Sequence, residues 1–115
     1  MAAANEDPIG NVYLMSGKSF APRGFWKIGY TQQKMTGRLE TYKRSMPSEN
    51  MVILRTIESS DPVELKRRCD EMLDRLQLSH TKQWVKSTWK KINHIIDIIV
   101  ENMEREIEMA NELHD

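Results

Sequence analysis

The sequence predicts an α+β fold in which a small three-stranded antiparallel sheet is flanked by helices, with a long helix at the C-terminus. Three short runs of β-prone residues predict the strands, and one helical segment separates the second run from the third. Two amphipathic segments with apolar residues at helical spacing follow the third run. These observations predict the element order β-β-α-β-α-α, and a chain of 115 residues is the size of one domain.

The N-terminal part of the chain predicts a β-hairpin. Residues 1–10 are small and polar, which predicts a disordered lead-in. Residues 11–15 (NVYLM) are apolar and stop at a Ser-Gly pair, so they predict strand one. Residues 25–31 (FWKIGYT) alternate large side chains and predict strand two, which a flexible basic loop joins to strand one in antiparallel orientation.

The middle of the chain predicts a short helix and then the third strand. Thr36 is the candidate N-cap, and the helix should end before Pro47. The residues that mark this helix are Arg38, Leu39, Tyr42 and Met46. Residues 51–57 (MVILRTI) are rich in β-branched side chains and predict strand three.

Two further helices are predicted after strand three. Asp61 and Pro62 predict a helix start, because they supply an N-cap acid and a proline at the first helical position, and Glu64 completes a capping box. The apolar face of this helix is predicted from Leu65, Cys69, Met72 and Leu76, with Cys69 as an inert buried thiol. Residues 80–85 interrupt the pattern. The last helix is predicted over residues 88–112, with a stripe of Ile92, Ile96, Ile99, Met103 and Ile107.

Composition excludes several classes of protein. The longest apolar run, residues 95–100, contains Asp97 and is far shorter than the roughly 20 residues of a membrane span. The N-terminus lacks the pattern of a secretory signal. The one cysteine, Cys69, has no internal disulfide partner, and with three scattered histidines it lacks the spacing of a zinc site. We therefore expect an intracellular, reducing location, in the cytoplasm or the nucleus, and no membrane partner.

Charge is segregated along the chain although the formal net charge is zero. Residues 8–91 carry 16 Lys and Arg against 8 Asp and Glu, which is a net charge of +8. Residues 92–115 carry one Arg and seven acids, a net charge of −6. A basic body of this kind attracts polyanions such as nucleic acid. The alternative is that these lysines and arginines are the solvated surface of an ordinary domain.

Three short motifs occur in a defined order: VYL at residues 12–14, WKIGYT at residues 26–31 and RL at residues 38–39. In this order they resemble the GIY-YIG nuclease superfamily, and they are most similar to its phage and large-virus DNA-binding branch, whose second motif reads KIG. The resemblance covers residues 11–100 as a GIY-YIG-like domain and leaves residues 101–115 as the acidic end of the last helix. It also implies a viral source.

The reaction of that superfamily is phosphodiester hydrolysis, which needs an oriented water, a cation at the phosphate and a metal held by a carboxylate. By resemblance, Tyr13 corresponds to the tyrosine beside the water and Arg38 to the arginine on the scissile phosphate. These two would be the catalytic residues of an active enzyme. Gly29 corresponds to the motif glycine, where the missing Cβ lets substrate approach the sheet. Lys27 replaces the second tyrosine, as is usual in this branch.

The carboxylate is where the sequence departs from the branch. Lys66 stands at the position of the metal-ligand glutamate and Asp70 at that of a histidine, and an ammonium group repels Mg²⁺. The Glu-Trp pair of the branch reads Gln83-Trp84. Glu64 is the one candidate for a substitute ligand, but the capping box explains it with local geometry alone. We expect no metal cofactor, and Mg²⁺ or Mn²⁺ only if the chain is an active nuclease.

The residues predicted to contact nucleic acid carry a cation, a ring or an open backbone on the sheet and the first two helices. They are Tyr13, Lys27, Gly29, Tyr30, Arg38, Lys43, Arg44 and Lys66. The alternatives are a core role for the tyrosine in strand one and solvated surface roles for the cations. Trp26, Trp84 and Trp89 are candidates for base stacking, and their alternative is a place in the core.

Three functions follow from these patterns. The first is a DNA-binding module that contacts phosphates through a basic face and is catalytically weak or inactive. The second is an active metal-dependent endonuclease. The third is a protein-interaction module, or a homodimer, that uses the C-terminal helix; this helix either protrudes to meet a partner or frays where its acids oppose the helix dipole.

Overall fold

The computed structural model of the chain describes residues 10–32, 35–81 and 84–114, without the side chains of residues 35, 36 and 114. Within these ranges the α+β class is confirmed, because a four-stranded antiparallel sheet is combined with three α-helices. The elements in chain order are β1 (Gly10–Ser16), β2 (Phe25–Thr31), α1 (Met35–Ser45), β3 (Val52–Ser59), α2 (Pro62–Arg75), β4 (Trp84–Lys86) and α3 (Trp89–His114). Short 3-10 turns lie at Ala21–Arg23 and Pro47–Glu49.

The sheet has four strands, in the order β3-β1-β2-β4, where the sequence predicted three. β4 pairs antiparallel with the first three residues of β2. A strand of three residues is too short to show an alternating pattern, which is why residues 80–85 predicted only a break between helices. The predicted lead-in, residues 1–9, lies outside the described ranges, and Gly10 already pairs with Ser59 across the β1–β3 ladder.

Side chains of β1 alternate between two separate cores, one on each face of the sheet. Val12 and Leu14 pack with α2 and α3, whereas Tyr13 and Met15 pack with α1. Opposite β1, the strand β3 has a bulge at Leu54, since the register shifts between the Leu14 and Met15 pairs. The middle strand β1 is therefore buried on both faces.

Helix α1 begins at Met35, one residue before the predicted N-cap Thr36, whose side chain lies outside the described part of the chain. It ends at Ser45, before Pro47, as the sequence predicted. Leu39 and Tyr42 of the helix face the sheet, and so does Met46, the residue just after the helix ends. This packing covers the face of the sheet that carries Tyr13.

The predicted start of α2 is confirmed, because the side chain of Asp61 accepts a hydrogen bond from the backbone N–H of Glu64 at 3.1 Å and Pro62 follows the cap. The predicted core face needs one correction. Leu73 is 1% exposed, whereas Leu76 is 44% exposed and lies just past the end of the helix. Leu76 is the C-cap, and Gln77 after it takes a left-handed backbone conformation with φ 59°, which ends the helix at the edge of the core.

Helix α3 is continuous from Trp89 to His114, so its described residues do not fray as one alternative predicted. The stripe of Ile92, Ile96 and Ile99 is buried against the sheet and α2, as predicted. Toward the C-terminus the apolar residues become exposed, and they include Ile107, Met109 and Leu113. Among the helices described, none combines the length and hydrophobicity that crossing a membrane would require.

Candidate nucleic-acid interface

Tyr13 and Gly29 lie opposite each other in the β1–β2 ladder, and the tyrosine ring covers the glycine. A Cβ built on Gly29 would lie 2.4 Å from the Tyr13 hydroxyl oxygen. The sequence predicted that the absent Cβ admits substrate to the sheet. In the structure the ring of Tyr13 occupies that space, so this glycine makes room for a side chain of the protein itself.

Tyr13 is 1% exposed, and its hydroxyl shares a hydrogen bond of 3.0 Å with the hydroxyl of Tyr42 on α1. Burial raises the pKa of Tyr13, and the bond to Tyr42 raises it further. The guanidinium of Arg38 lies close enough to lower the pKa in turn, but by less than burial raises it. Tyr13 and Arg38 are therefore neighbours, as the resemblance implies, with the tyrosine behind the arginine.

Arg38 reaches from the start of α1 to the end of β2, where its Nη2 donates to the backbone oxygen of Tyr30 at 3.4 Å. Its Nε is buried and finds no hydrogen-bond acceptor among the described residues. In the same part of the chain no carboxylate lies within ion-pair distance of the guanidinium. Arg38 is thus a partly buried cation with unused donors.

Lys27 lies on the same face of β2 as Gly29, and it is 7% exposed. Its ammonium sits 5.3 Å from the ring centre of Tyr42 and 5.2 Å from that of Trp84. Burial lowers the pKa of Lys27, and the charge of Lys66 lowers it further. Among the residues described, Lys27 forms no ion pair.

Lys66 approaches this region from α2. It follows the buried Leu65 by about 100° around the helix, on the flank opposite Arg68, which faces α3. Its ammonium pairs with the carboxylate of Asp70 one turn later, at 2.5 Å, and only 14% of the Lys66 side chain is exposed. Asp70, the acid next to these cations, is therefore already paired with Lys66.

These cations converge along one strand. β4 pairs with β2 only as far as Lys27, so the strand from Ile28 to Thr31 is an edge within the described residues. We call Lys27, Arg38 and Lys66 the β2-edge cluster. Two contacts and two electrostatic influences link its members. Tyr13 contacts Tyr42, and Tyr42 contacts Lys27. The charge of Arg38 acts on the pKa of Tyr13, and the charge of Lys66 acts on that of Lys27.

The other predicted contact residues lie outside the cluster. Tyr30 is exposed, but strand alternation directs its side chain to the face opposite Lys27, and only its backbone oxygen meets Arg38. Lys43 and Arg44 are exposed on α1, and Lys43 lies 4.0 Å from the carboxylate of Glu40. Helical spacing turns Arg44 away from the sheet.

Glu64, the candidate substitute metal ligand, does not enter the cluster. Its carboxylate accepts hydrogen bonds from Arg67 and Arg68 at 2.7 to 2.9 Å, and these arginines lower its pKa to about 2. The reciprocal bond of the capping box is not formed, because the N–H of Asp61 donates to Ser59 instead. Gln83 lies outside the described ranges, and Trp84 is in β4.

Sequence reasoning missed the contacts that three residues make in the site: Tyr42, Asp70 and Trp84. Tyr42 follows Arg38 by four residues, which places both on one face of α1, and this spacing was a usable signal. The Lys66–Asp70 pair at the same spacing was a second signal, since oppositely charged residues four apart on a helix meet. The place of Trp84 over Lys27 depends on β4 and had no local signal.

Comparison of the chain with known protein families, with curated proteins and with solved structures finds no match. Within the described ranges, His, Cys, Asp and Glu side chains do not gather in groups of three or more that could hold a metal ion. The geometry of the β2-edge cluster is therefore the feature of this molecule that points to a function.

Proposed function

We propose that the chain is a DNA-binding module on a GIY-YIG-like fold, which contacts phosphates through the β2-edge cluster and does not hydrolyse them efficiently. The observation that carries this proposal is that two of the three cations in the cluster form no ion pair within the described ranges. Lys27 is buried and Arg38 is partly buried, with its Nε shielded from water, yet neither has a carboxylate partner in the described part of the chain.

An anion would relieve the electrostatic cost of this arrangement. A shielded cation without a partner destabilises the folded state, and a phosphate oxygen supplies both the charge and the hydrogen-bond acceptor that it lacks. Burial lowers the pKa of Lys27 for the same reason, because it disfavours the charged form. The planar fork of Arg38 suits phosphate oxygens, and its unused donors lie beside the exposed edge of β2.

Three features favour binding over hydrolysis. Lys66 stands where the resemblance expects a metal-ligand glutamate, and it pairs with Asp70. Glu64 is engaged by two arginines on another flank of α2. The raised pKa of Tyr13 makes its hydroxyl a poor group for taking a proton from water.

The acidic C-terminal helix leaves the cluster accessible. In α3, Asp97 pairs with Arg55 at 2.6 Å, and Glu106 pairs with Arg68 at 2.6 Å. Both arginines lie on the faces of β3 and α2 that α3 covers. These ion pairs hold two acids of α3 on arginines away from the β2 edge, and neither acid pairs with Lys27 or Arg38.

The proposal is tested by duplex DNA binding over a range of salt concentrations, measured by fluorescence anisotropy. Arg38→Ala should weaken binding about tenfold and lower the slope of log K against log salt by about 0.9, because one phosphate contact is lost. Arg67→Ala is the matched control, since it removes the same charge from an exposed site paired with Glu64 and Glu71. Equal effects of the two substitutions, or no duplex binding by the wild type at low salt, would refute the proposal.

The endonuclease alternative has its own test. Plasmid nicking with Mg²⁺ or Mn²⁺ is compared between the wild type and Arg38→Ala. Nicking that depends on Arg38 would show that the chain is an endonuclease. It would overturn the proposal that the chain does not hydrolyse DNA efficiently.

A protein-interaction role of the last helix is the second candidate function. The specific observation is that Ile107, Met109 and Leu113 are exposed on the distal part of α3. Sedimentation velocity over a range of protein concentrations tests self-association. A monomer whose sedimentation does not change with concentration would count against the homodimer.

A further inference from the structure

A second cleft lies at the other end of β2, where the strand begins. Its walls include Arg23 from the β1–β2 loop, Trp26 from β2, Lys86 and Ser87 after β4, and Trp89 at the start of α3. The cleft has a volume of about 540 Å³, which is within the usual range for a site that holds a small organic group. Nothing in the β2-edge cluster uses these residues.

One side of the cleft is aromatic. Trp89 is 38% exposed, and its ring centre lies 5.0 Å from that of Trp26. The indole N–H of Trp26 donates to the backbone oxygen of Ser87 at 2.8 Å, which fixes the orientation of this ring and of the pair. The pair therefore presents a rigid aromatic surface to the cleft, with Trp89 as its accessible member.

The rim of the cleft is positively charged. Arg23 and Lys86 line the cleft, and neither forms an ion pair among the described residues. Their charged groups lie 5.0 and 5.4 Å from the centre of the Phe25 ring, which points to the sheet face opposite Trp26, so the two cations lie between the two faces at the end of the sheet. Lys90 and Lys91 occupy the first turn of α3, which contains no acid. Cations at a helix N-terminus oppose the helix dipole, so local helix stability does not account for these lysines.

Hydrogen bonds between the segments that form the walls hold the cleft in shape without a ligand. The N–H of Ser87 donates to the backbone oxygen of Gly24 at 2.9 Å. Gly24 has φ 77°, and a Cβ there would lie 2.9 Å from the Ser87 oxygen, so only glycine allows this close approach. The side-chain hydroxyl of Ser87 is buried and has no hydrogen-bond partner in the described part of the chain. It is available to a polar group that enters the cleft.

We infer that this cleft binds one unpaired nucleotide of a DNA single strand, with the base stacked on Trp89 and the adjoining phosphates held by Arg23 and Lys86. A base inside a duplex is already stacked on both faces, so an exposed indole can bind only an unpaired one. The inference rests on the proposed function and deepens it. Trp26 of the cleft and Tyr30, whose backbone oxygen Arg38 meets, are four residues apart on β2, about 13 Å at 3.3 Å per residue. One DNA molecule with a single-stranded end can therefore reach both sites.

The test uses three probes: an oligothymidylate, an abasic oligonucleotide of the same length, and a blunt duplex. Trp89→Leu should weaken oligothymidylate binding about tenfold, which is the scale of one lost base–aromatic contact, and bring it to the affinity of the abasic strand. Binding of the abasic strand and of the duplex should not change. Trp89→Phe, which keeps a ring, should retain most of the affinity for oligothymidylate.

A second variant guards against a folding defect. Arg23 lies on an exposed loop, so Arg23→Ala should fold normally. It should weaken the binding of both single strands, and it should lower the slope of log K against log salt by about 0.7 for each. The inference would be overturned if Trp89→Leu left oligothymidylate binding unchanged, or if it weakened binding of the abasic strand equally. The proposed function would survive that result as long as duplex binding still depended on Arg38. Failure of the wild type to bind any of the probes at low salt would refute both.

Discussion

The ring of Tyr13 fills the space that a Cβ at Gly29 would require, with the hydroxyl oxygen 2.4 Å from that position. The two residues are direct partners in the β1–β2 ladder. The ring is held there by a second contact, the hydrogen bond to Tyr42 from the facing helix. A motif glycine on one strand and a motif tyrosine on its neighbour thus form a single packing unit behind the β2-edge cluster.

Gly29→Ala should destabilise the protein, because the new methyl group forces the Tyr13 ring out of its place and breaks its bond to Tyr42. We expect the free energy of unfolding to fall by about 1–3 kcal/mol, the usual cost of overpacking a core. Urea unfolding measures it. Gly37→Ala is the control: an added Cβ meets no described atom within 4 Å, and it should stabilise α1 by up to about 1 kcal/mol.

Leu73→Ala and Leu76→Ala should differ sharply although both leucines are near the end of α2. Leu73 is buried in the core, so its truncation should cost about 2–5 kcal/mol. Leu76 is exposed past the helix end, and its truncation should cost less than about 1 kcal/mol. Comparable losses in thermal or urea unfolding would mean that Leu76 packs inside the protein after all.

Glu64→Gln should remove part of the pH dependence of stability. Arg67 and Arg68 lower the pKa of Glu64 from 4.5 to about 2 in the folded protein. A carboxyl with a depressed folded pKa stabilises the protein above its unfolded pKa, and this contribution is lost as pH falls through the folded value. The wild type should therefore exceed the glutamine variant in stability at neutral pH, and the difference should vanish between pH 4.5 and about 2.

Urea unfolding over a pH series at constant ionic strength measures this difference. Glu108→Gln is the control, because Glu108 is exposed and forms no ion pair in the described ranges. A constant gap between wild type and Glu64→Gln from neutral to acid pH would contradict the role of the two arginines.

Lys27→Met should change stability and DNA affinity in opposite directions. Burial and the Lys66 charge lower the pKa of Lys27, so its charged form destabilises the folded state below that pKa. The variant should be more stable than the wild type at neutral pH, and this advantage should shrink as pH rises through the lowered pKa. DNA affinity should fall about tenfold, the scale of one charge-assisted contact.

The measurements are urea unfolding at neutral and alkaline pH together with anisotropy. Lys18→Met, on the exposed β1–β2 loop, is the control and should leave stability nearly unchanged. A loss of stability at neutral pH in Lys27→Met would show that the ring contacts of the ammonium outweigh its burial cost.

Local signals in the sequence were enough for the helices and for three strands. The cap at Asp61 and the proline after it act through backbone atoms within one turn, so the start of α2 follows from adjacent residues alone. The stripe of α3 follows from helical spacing in the same way. The ordered motifs also brought Tyr13, Lys27, Arg38 and Lys66 together as one predicted surface.

Residues 64–86 show where reasoning from local patterns was not enough. β4 gains its hydrogen bonds from β2, not from its own three residues, so no pattern in the chain announced it. Leu76 matched the helical spacing, but the helix ends at Arg75, and Leu76 is its exposed C-cap next to the left-handed Gln77. Glu64 had the position of a capping-box acid, and its arginine neighbours bound its carboxylate instead.

The amino-acid sequence alone determined the α+β class, the start of α2 and the cations that form the candidate site, because these depend on neighbours within a few residues. Only the tertiary structure decided which of those cations lack a partner, that a tyrosine fills the space above the motif glycine, and that an exposed tryptophan lines a second basic cleft. Such properties depend on distances between segments far apart in the chain, and folding sets those distances through packing and burial rather than through local preference.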